Sequence, residues 1–187
     1  MQEEKMKKLY AIVGSGRKNG YSQKGMELIK SRIPADWTLE VDRPMEMEIG
    51  YCLACDHCAA EEGACVRKDD MQEVYQKLAA CDALLIVSPV YFNSAPAPLK
   101  ALIDRCQVFF YHKLTGQPKK AYVLGFGGAR AYETQFTGLL LNLEHVLKNI
   151  NAQLEGTLFF PRTDAFPDAL PAEEVRKIEK FADEMFL

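Results

Sequence analysis

The chain has 187 residues, 48% of them hydrophobic and 26% charged, with a formal net charge of -3. That size fits one globular domain with a substantial core. The near-neutral charge gives no footing to nucleic acid or an anionic membrane surface as a partner.

Residues 1–8 are charged, and the apolar run after them is short. That pattern reads as a buried strand, not a signal peptide or a membrane span, and makes a cytoplasmic location the expectation. Residues 8–13 (KLYAIV) predict the first strand, and residues 22–33 a helix with Ser22 as its N-cap. Residues 38–41 are a short second strand, and a cysteine-rich segment follows. Asp69 or Asp70 caps a helix that runs to Ala80. Residues 83–88 (ALLIVS) are the clearest buried strand. Residues 97–110 predict one helix, with Pro98 in its first turn. A fourth strand occupies 121–126. Residues 133–150 form a long amphipathic helix with Phe136, Leu139, Leu140, Leu143, Leu147 and Ile150 on one face. A fifth strand covers 154–160, and Val175, Ile178, Ala182 and Met185 stripe a final helix.

Five strands alternating with helices predict an α/β chain, 1–187 as one domain, with a parallel sheet covered on both faces. Ligands of such sheets bind outside the carboxyl ends of the strands, where the strand order reverses. The loops after the first, third and fourth strands are therefore the candidates.

The first loop, Gly14-Ser15-Gly16-Arg17-Lys18-Asn19-Gly20-Tyr21-Ser22, offers glycine backbone, two hydroxyls, a guanidinium and a helix start to a phosphate. It lacks the Gly-Lys-Ser/Thr of a Walker A loop, and its third glycine falls one residue late for G-x-G-x-x-G. Asp42 as a ribose-binding acid is thereby the weaker reading. The second loop, Ser88-Pro89-Val90-Tyr91-Phe92-Asn93-Ser94, puts two aromatics at a strand end. They either wall a flat heteroaromatic ring such as isoalloxazine or pack on a neighbouring helix. The third, residues 125–130, carries Gly127 and Gly128, which admit a ligand close to the backbone or make a flexible turn.

The cysteine segment, an insertion at about residues 50–68, reads C-x2-C-x2-C-x6-C at Cys52, Cys55, Cys58 and Cys65. Four soft thiolates suit an iron–sulfur cluster or zinc, with His57 able to replace one of them at zinc. Thiols or disulfides without metal are the remaining reading. The spacing departs from the C-x2-C-x2-C-x3-C-P run of bacterial ferredoxins, since the last gap is longer and Val66 follows Cys65. Cys81 and Cys106 read as core residues. His112 and His145 read as surface or satisfied histidines, and Asp69-Asp70 as a helix cap. No Ser–His–Asp set or paired-carboxylate motif stands out.

Taken together, the Gly14-Ser-x-Arg-Lys-x-Gly-x-Ser loop, the Gly-x-Cys-x-x-x-Asp-Asp-Met run of residues 63–71, Ser88-Pro-Val-Tyr-Phe and Leu99-Lys-x-x-Ile-Asp-Arg resemble the NAD(P)H-dependent FMN reductase-like family. The compact cysteine segment resembles its iron–sulfur flavoprotein branch. The resemblance implies a flavodoxin-like three-layer sandwich with sheet order 2-1-3-4-5. It implies FMN phosphate at Ser15, Arg17, Asn19, Gly20, Tyr21 and Ser22. The ring would lie against Pro89, Val90, Tyr91, Phe92 and Asn93, with Gly127 and Gly128 beside it. It implies a 4Fe-4S cluster on Cys52, Cys55, Cys58 and Cys65, close enough to exchange electrons with FMN. Ala54 stands where relatives often carry glycine. The expected protein is a homodimer or homotetramer. Its donor is NAD(P)H or ferredoxin, its acceptor a small molecule, and no catalytic side chain is required. A cluster-free reductase and a flavin-binding redox sensor or electron carrier are the alternatives.

Overall fold

A computed structural model describes residues 6–61, 64–166 and 169–187. Gly63 of the cysteine motif and the charged residues 1–5 lie outside the described residues. The chain runs β1 (Lys7–Val13), α1 (Tyr21–Lys30), β2 (Trp37–Asp42), α2 (His57–Ala60), α3 (Met71–Ala80), β3 (Ala83–Pro89), α4 (Ala97–Arg105), α5 (Gln107–Tyr111), β4 (Lys119–Phe126), α6 (Thr137–Asn149), β5 (Ala152–Phe160) and α7 (Ala172–Met185). The five strands form one sheet of order β2-β1-β3-β4-β5, and every pairing is parallel.

The period-two alternation of the strands sends side chains to opposite faces. Leu9, Ala11, Val13, Leu85 and Val87 pack under α1 and α7 with Met26, Ile29, Ile178 and Phe181. Tyr10, Ile12, Leu84 and Ile86 pack under α3, α4 and α6 with Val74, Leu78, Leu102 and Leu143. Both faces are therefore covered, as the continuous apolar runs of β1 and β3 require. Reversal of strand order between β1 and β3 opens the crevice in which the first and second loops meet. Asp42, at the end of β2, accepts a hydrogen bond from the buried Tyr10 hydroxyl at 2.6 Å and pairs with Lys77 at 2.7 Å. It locks β2 to α3 and is not left for a ribose.

Four helix ends differ from the sequence expectation. Ser22 is not the cap of α1; Gly20 is, in extended conformation, and Ser22 is buried within the first turn. That helix stops at Lys30 instead of Ile33, and Ser31 folds its hydroxyl back onto the Leu28 carbonyl. Residues 97–110 are two helices. At Cys106 the amide is shared between the Leu102 and Ile103 carbonyls, which tightens the last turn of α4 and redirects the chain into α5. Helix α6 begins at Thr137 rather than at Glu133, because Gln135 is buried against Gly127 of the third loop and holds that stretch in turns.

Candidate cofactor sites

Two cavities matter, and no residue lines both. The first is a cleft of about 520 Å³ at the carboxyl edge of the sheet. Gly14 donates its amide to the Val87 carbonyl at 2.8 Å, which fixes the first loop beside β3. Beyond it the loop coils so that Gly20 donates to the Arg17 carbonyl, and the Ser15 hydroxyl accepts the Arg17 amide. Helix α1 starts here with no side-chain cap and no acid in its first turn. Its positive dipole end thus faces the cleft and favours an anion there. Ser15, Arg17, Asn19, Gly20, Tyr21 and Ser22 all line the cleft, and Lys24 stands with them.

From the second loop, Pro89, Val90 and Tyr91 line the cleft; Phe92 and Asn93 do not. Tyr91 and Ser94 exchange backbone hydrogen bonds at 3.0 and 3.1 Å around a two-residue turn. Both turn residues have positive φ, 49° at Phe92 and 65° at Asn93. This is the type I′ arrangement, uncommon without glycine and strained for a phenylalanine. It throws Phe92 fully into solvent. Asn93 is spent locally, donating to the Thr134 carbonyl and accepting from the Tyr132 hydroxyl. From the third loop Gly128 lines the cleft, while Gly127 is bound back to Phe160 and Thr163 and faces Gln135.

Three further residues complete the wall: Phe126, Thr163 and Asp164. Thr163 and Asp164 belong to a short 3-10 turn after β5, reached through Arg162 in a left-handed conformation. Asp164 carries a carboxylate that closes on Gly128: a Cβ there would stand 2.6 Å from both of its oxygens. The Thr163-Asp164 pair stands two residues beyond the fifth strand, at the same sheet edge, with nothing in the local sequence to mark it. One end of the cleft is basic and rich in amides, and its flank is aromatic. That donor set fits a phosphate joined to a flat ring.

The second cavity, about 310 Å³, is lined by Cys52, Cys55, Cys58 and Cys65 together, and by residues of α4 and α5. All four are free thiols. Burial pushes the Cys58 thiol above its ordinary value, and its coupling to Cys65, Cys52 and Cys55 pushes the same way against a backbone hydrogen bond that lowers it. Among the described residues no group of three or more His, Cys, Asp or Glu side chains is gathered to hold a single metal ion. Cys81 and Cys106 sit in the core, where burial pushes their thiols to about 11 and about 12. They stay protonated at neutral pH.

The cysteine loop is held from several sides. Arg105, buried at the end of α4, forks onto Asp69 at 2.7 and 2.9 Å and donates to the Gly50 carbonyl at 2.9 Å. Asp69 also accepts the Gly50 and Met71 amides, so it caps α3 and pins the loop at once; Asp70 makes no cap bond and instead accepts the Glu48 amide. His112 donates from Nε2 to the Cys58 carbonyl at 2.9 Å. Ala54 and Asp56, either side of Cys55, have φ of 49° and 54°. Such turns aim backbone amides into a concavity, a geometry that suits anionic iron–sulfur centres. Ala54 bears a left-handed strain that glycine would not. Ala54→Gly is expected to stabilise the protein by about 0.5–1 kcal/mol, read as a raised urea midpoint at unchanged slope.

The family described as NADPH-dependent FMN reductase matches residues 7–154. The chain is 43% identical over 60 residues to the iron-sulfur flavoprotein MJ0731 of Methanocaldococcus jannaschii, a segment covering 32% of this chain and 30% of that one. It is 33% identical over 127 residues to an iron-sulfur flavoprotein of Methanosarcina thermophila, covering 66% of this chain and 64% of that one. The matched segments thus span less than two thirds of either relative. In fold it is similar to the FMN-dependent NADH-azoreductase of Bacillus anthracis in complex with FMN, with TM-score 0.66, 15% identity, and 96% and 99% of the two chains covered. The family match takes in every residue of the cysteine cavity and all of the cleft except Thr163 and Asp164. The chain belongs to the NADPH-dependent FMN reductase family, a family of flavin-dependent oxidoreductases.

Proposed function

We propose that this chain is an FMN-dependent oxidoreductase that passes electrons between FMN in the 520 Å³ cleft and a 4Fe-4S cluster on Cys52, Cys55, Cys58 and Cys65. The observation that carries the cluster is that all four cysteines line one cavity, separate from the cleft. The names of the similar iron-sulfur flavoproteins support it. FMN, when bound, takes up a hydride and gives up electrons singly. The protein's part is placement. Arg17, Ser15, Ser22 and the positive dipole end of α1 hold the phosphate. Tyr91 and Phe126 wall the ring, and Gly128 lets it approach the backbone. Phe92, Asn93 and Gly127 shape the surrounding loops. No side-chain acid or base is assigned, because hydride transfer to a flavin needs none.

The donor is NAD(P)H or, with the cluster loaded, a ferredoxin; the acceptor is a small molecule. The working form is a homodimer or homotetramer, which the exposed Tyr91 and Phe92 at the rim of the cleft support. Among the described residues no helix is long and apolar enough to cross a membrane.

The test is one anaerobically purified sample assayed for FMN, iron and acid-labile sulfide. Near one FMN with about four irons and four sulfides per chain supports both centres. FMN alone, after attempted anaerobic reconstitution, overturns the cluster and leaves a simple flavin reductase. For the cleft, Arg17→Ala is expected to weaken FMN binding about 10- to 100-fold, the worth of a hydrogen bond to a charged group, in a fluorescence titration.

A further inference from the structure

Two of the side chains that wall the cysteine cavity are arginines, Arg67 and Arg105. Each carries a buried Nε–H with no hydrogen-bond partner among the described residues. Buried donors are nearly always paired, so two arginines of one cavity with an unpaired Nε–H each retain donor capacity that the described residues do not meet. Both belong to permanently cationic groups, so the acceptor they suit is an anion.

The two differ in what offsets their charge. Arg105 is neutralised by its fork onto Asp69. Arg67 has no carboxylate within ion-pair distance among the described residues; its guanidinium lies over the Tyr51 ring at 5.2 Å. It is seated on the Gly50 backbone, where an added Cβ would meet Nη1 at 2.5 Å. Of the acids on the cavity, Asp104 is held by Lys100 and Asp56 faces the Tyr111 hydroxyl at 3.4 Å. Among the described residues Arg67 thus stands as an unneutralised cation two residues after Cys65, on a cavity that all four cysteines line.

We infer that Arg67 sets the redox poise of the centre held by Cys52, Cys55, Cys58 and Cys65, raising its reduction potential. The inference rests on the cluster reading above. Reduction adds one electron from a one-electron carrier of the ferredoxin class; no bond forms or breaks, and Arg67 keeps its protons. The added negative charge is stabilised by a fixed cation more than the oxidised form is, and a half-buried cation is screened little by salt. Donation of N–H to sulfur acts in the same direction. Arg105, already neutralised, serves mainly as a strut for the loop.

The experiment is a mediated redox titration of the anaerobically reconstituted protein. It is read from the cluster's absorbance and from the electron paramagnetic resonance of its reduced form, with iron and sulfide assayed on each sample. At a fixed ambient potential Arg67→Gln is expected to lower the reduced-to-oxidised ratio about tenfold, about 59 mV for a one-electron couple. Arg67→Lys, which keeps the charge, is expected to shift it less. Arg176→Gln, which removes the same charge from the exposed side of α7, is expected to leave it unchanged. Arg67→Gln removes a loop contact as well as a charge, so Gly50→Ala is the second variant: it keeps every charge but unseats the guanidinium, and is expected to lower the potential too. Wild-type titration curves from Arg67→Gln and Gly50→Ala, both loaded with wild-type iron and sulfide, overturn the role of Arg67 and leave the cluster reading intact. A wild-type protein that takes up neither iron nor sulfide overturns the cluster reading, and this inference with it.

Discussion

Cys58→Ser protein is expected to bind FMN as the parent does while its iron falls from about four atoms per chain to fewer than one. A hydroxyl is a hard, weakly acidic ligand and a poor substitute for a soft thiolate. Three remaining thiolates would leave the proposed cluster one protein ligand short. The flavin is spared because nothing from the cysteine segment lines the cleft. Cys81→Ser is the matched control. Its thiol points at the Leu78 carbonyl inside the core, and the serine hydroxyl can take over that contact without touching the cavity. Iron, sulfide and flavin measured on the same two samples decide the matter. A Cys58→Ser protein with full iron and sulfide removes Cys58 from the ligand set.

Asp69→Ala is expected to cost about 3–5 kcal/mol of stability, because it strands a buried guanidinium. The Arg105 side chain is 1% exposed and would keep only the Gly50 carbonyl of its present partners. The Gly50 and Met71 amides lose their acceptor at the same time. Urea unfolding at neutral pH measures the loss. Acid provides an independent check. Burial alone would raise the Asp69 carboxyl, but the Arg105 fork and the Gly50 amide outweigh it and hold the group below its ordinary value. A carboxylate depressed in the folded state stabilises fully above its unfolded pKa, about 3.9, and loses that contribution as pH falls through the folded value. The gap between wild type and Asp69→Ala should therefore be widest above about pH 5 and narrow below about pH 4. A gap that does not change with acid would show that the carboxylate's charge contributes nothing.

The sheet was legible because its strands are buried on both sides, and long apolar runs such as ALLIVS have few other uses. The order 2-1-3-4-5 came from the family resemblance, not from periodicity, and the pairings bear it out. Of the expected cleft residues, those of the first loop, Pro89, Val90 and Tyr91 of the second and Gly128 of the third do line it, while Gly127 is turned to Gln135. Phe92 and Asn93 do not, because composition reveals an aromatic pair but not the left-handed turn that sends one ring outward. Thr163 and Asp164 escaped notice because a carboxylate after a strand has no signature until the chain folds back onto Gly128. The break at Cys106 was hidden for a similar reason. The residues on both sides favour helix, and only the tertiary position of α5 against the cysteine loop shows why the axis must turn. The Arg105–Asp69 fork joins residues 36 apart in sequence, a distance over which no local pattern speaks.

Among the described residues no strand of the sheet is drawn from the stretch between Asp42 and Met71, and the parallel register on either side of it is set by other segments. The cysteine segment is therefore an attachment to a finished scaffold. Its length can change at the modest entropic cost of a longer or shorter loop without shifting a strand or moving the flavin cleft. A metal-binding loop of different spacing could be grafted between the same two ends, provided that Asp69 and Arg105 remain to anchor it.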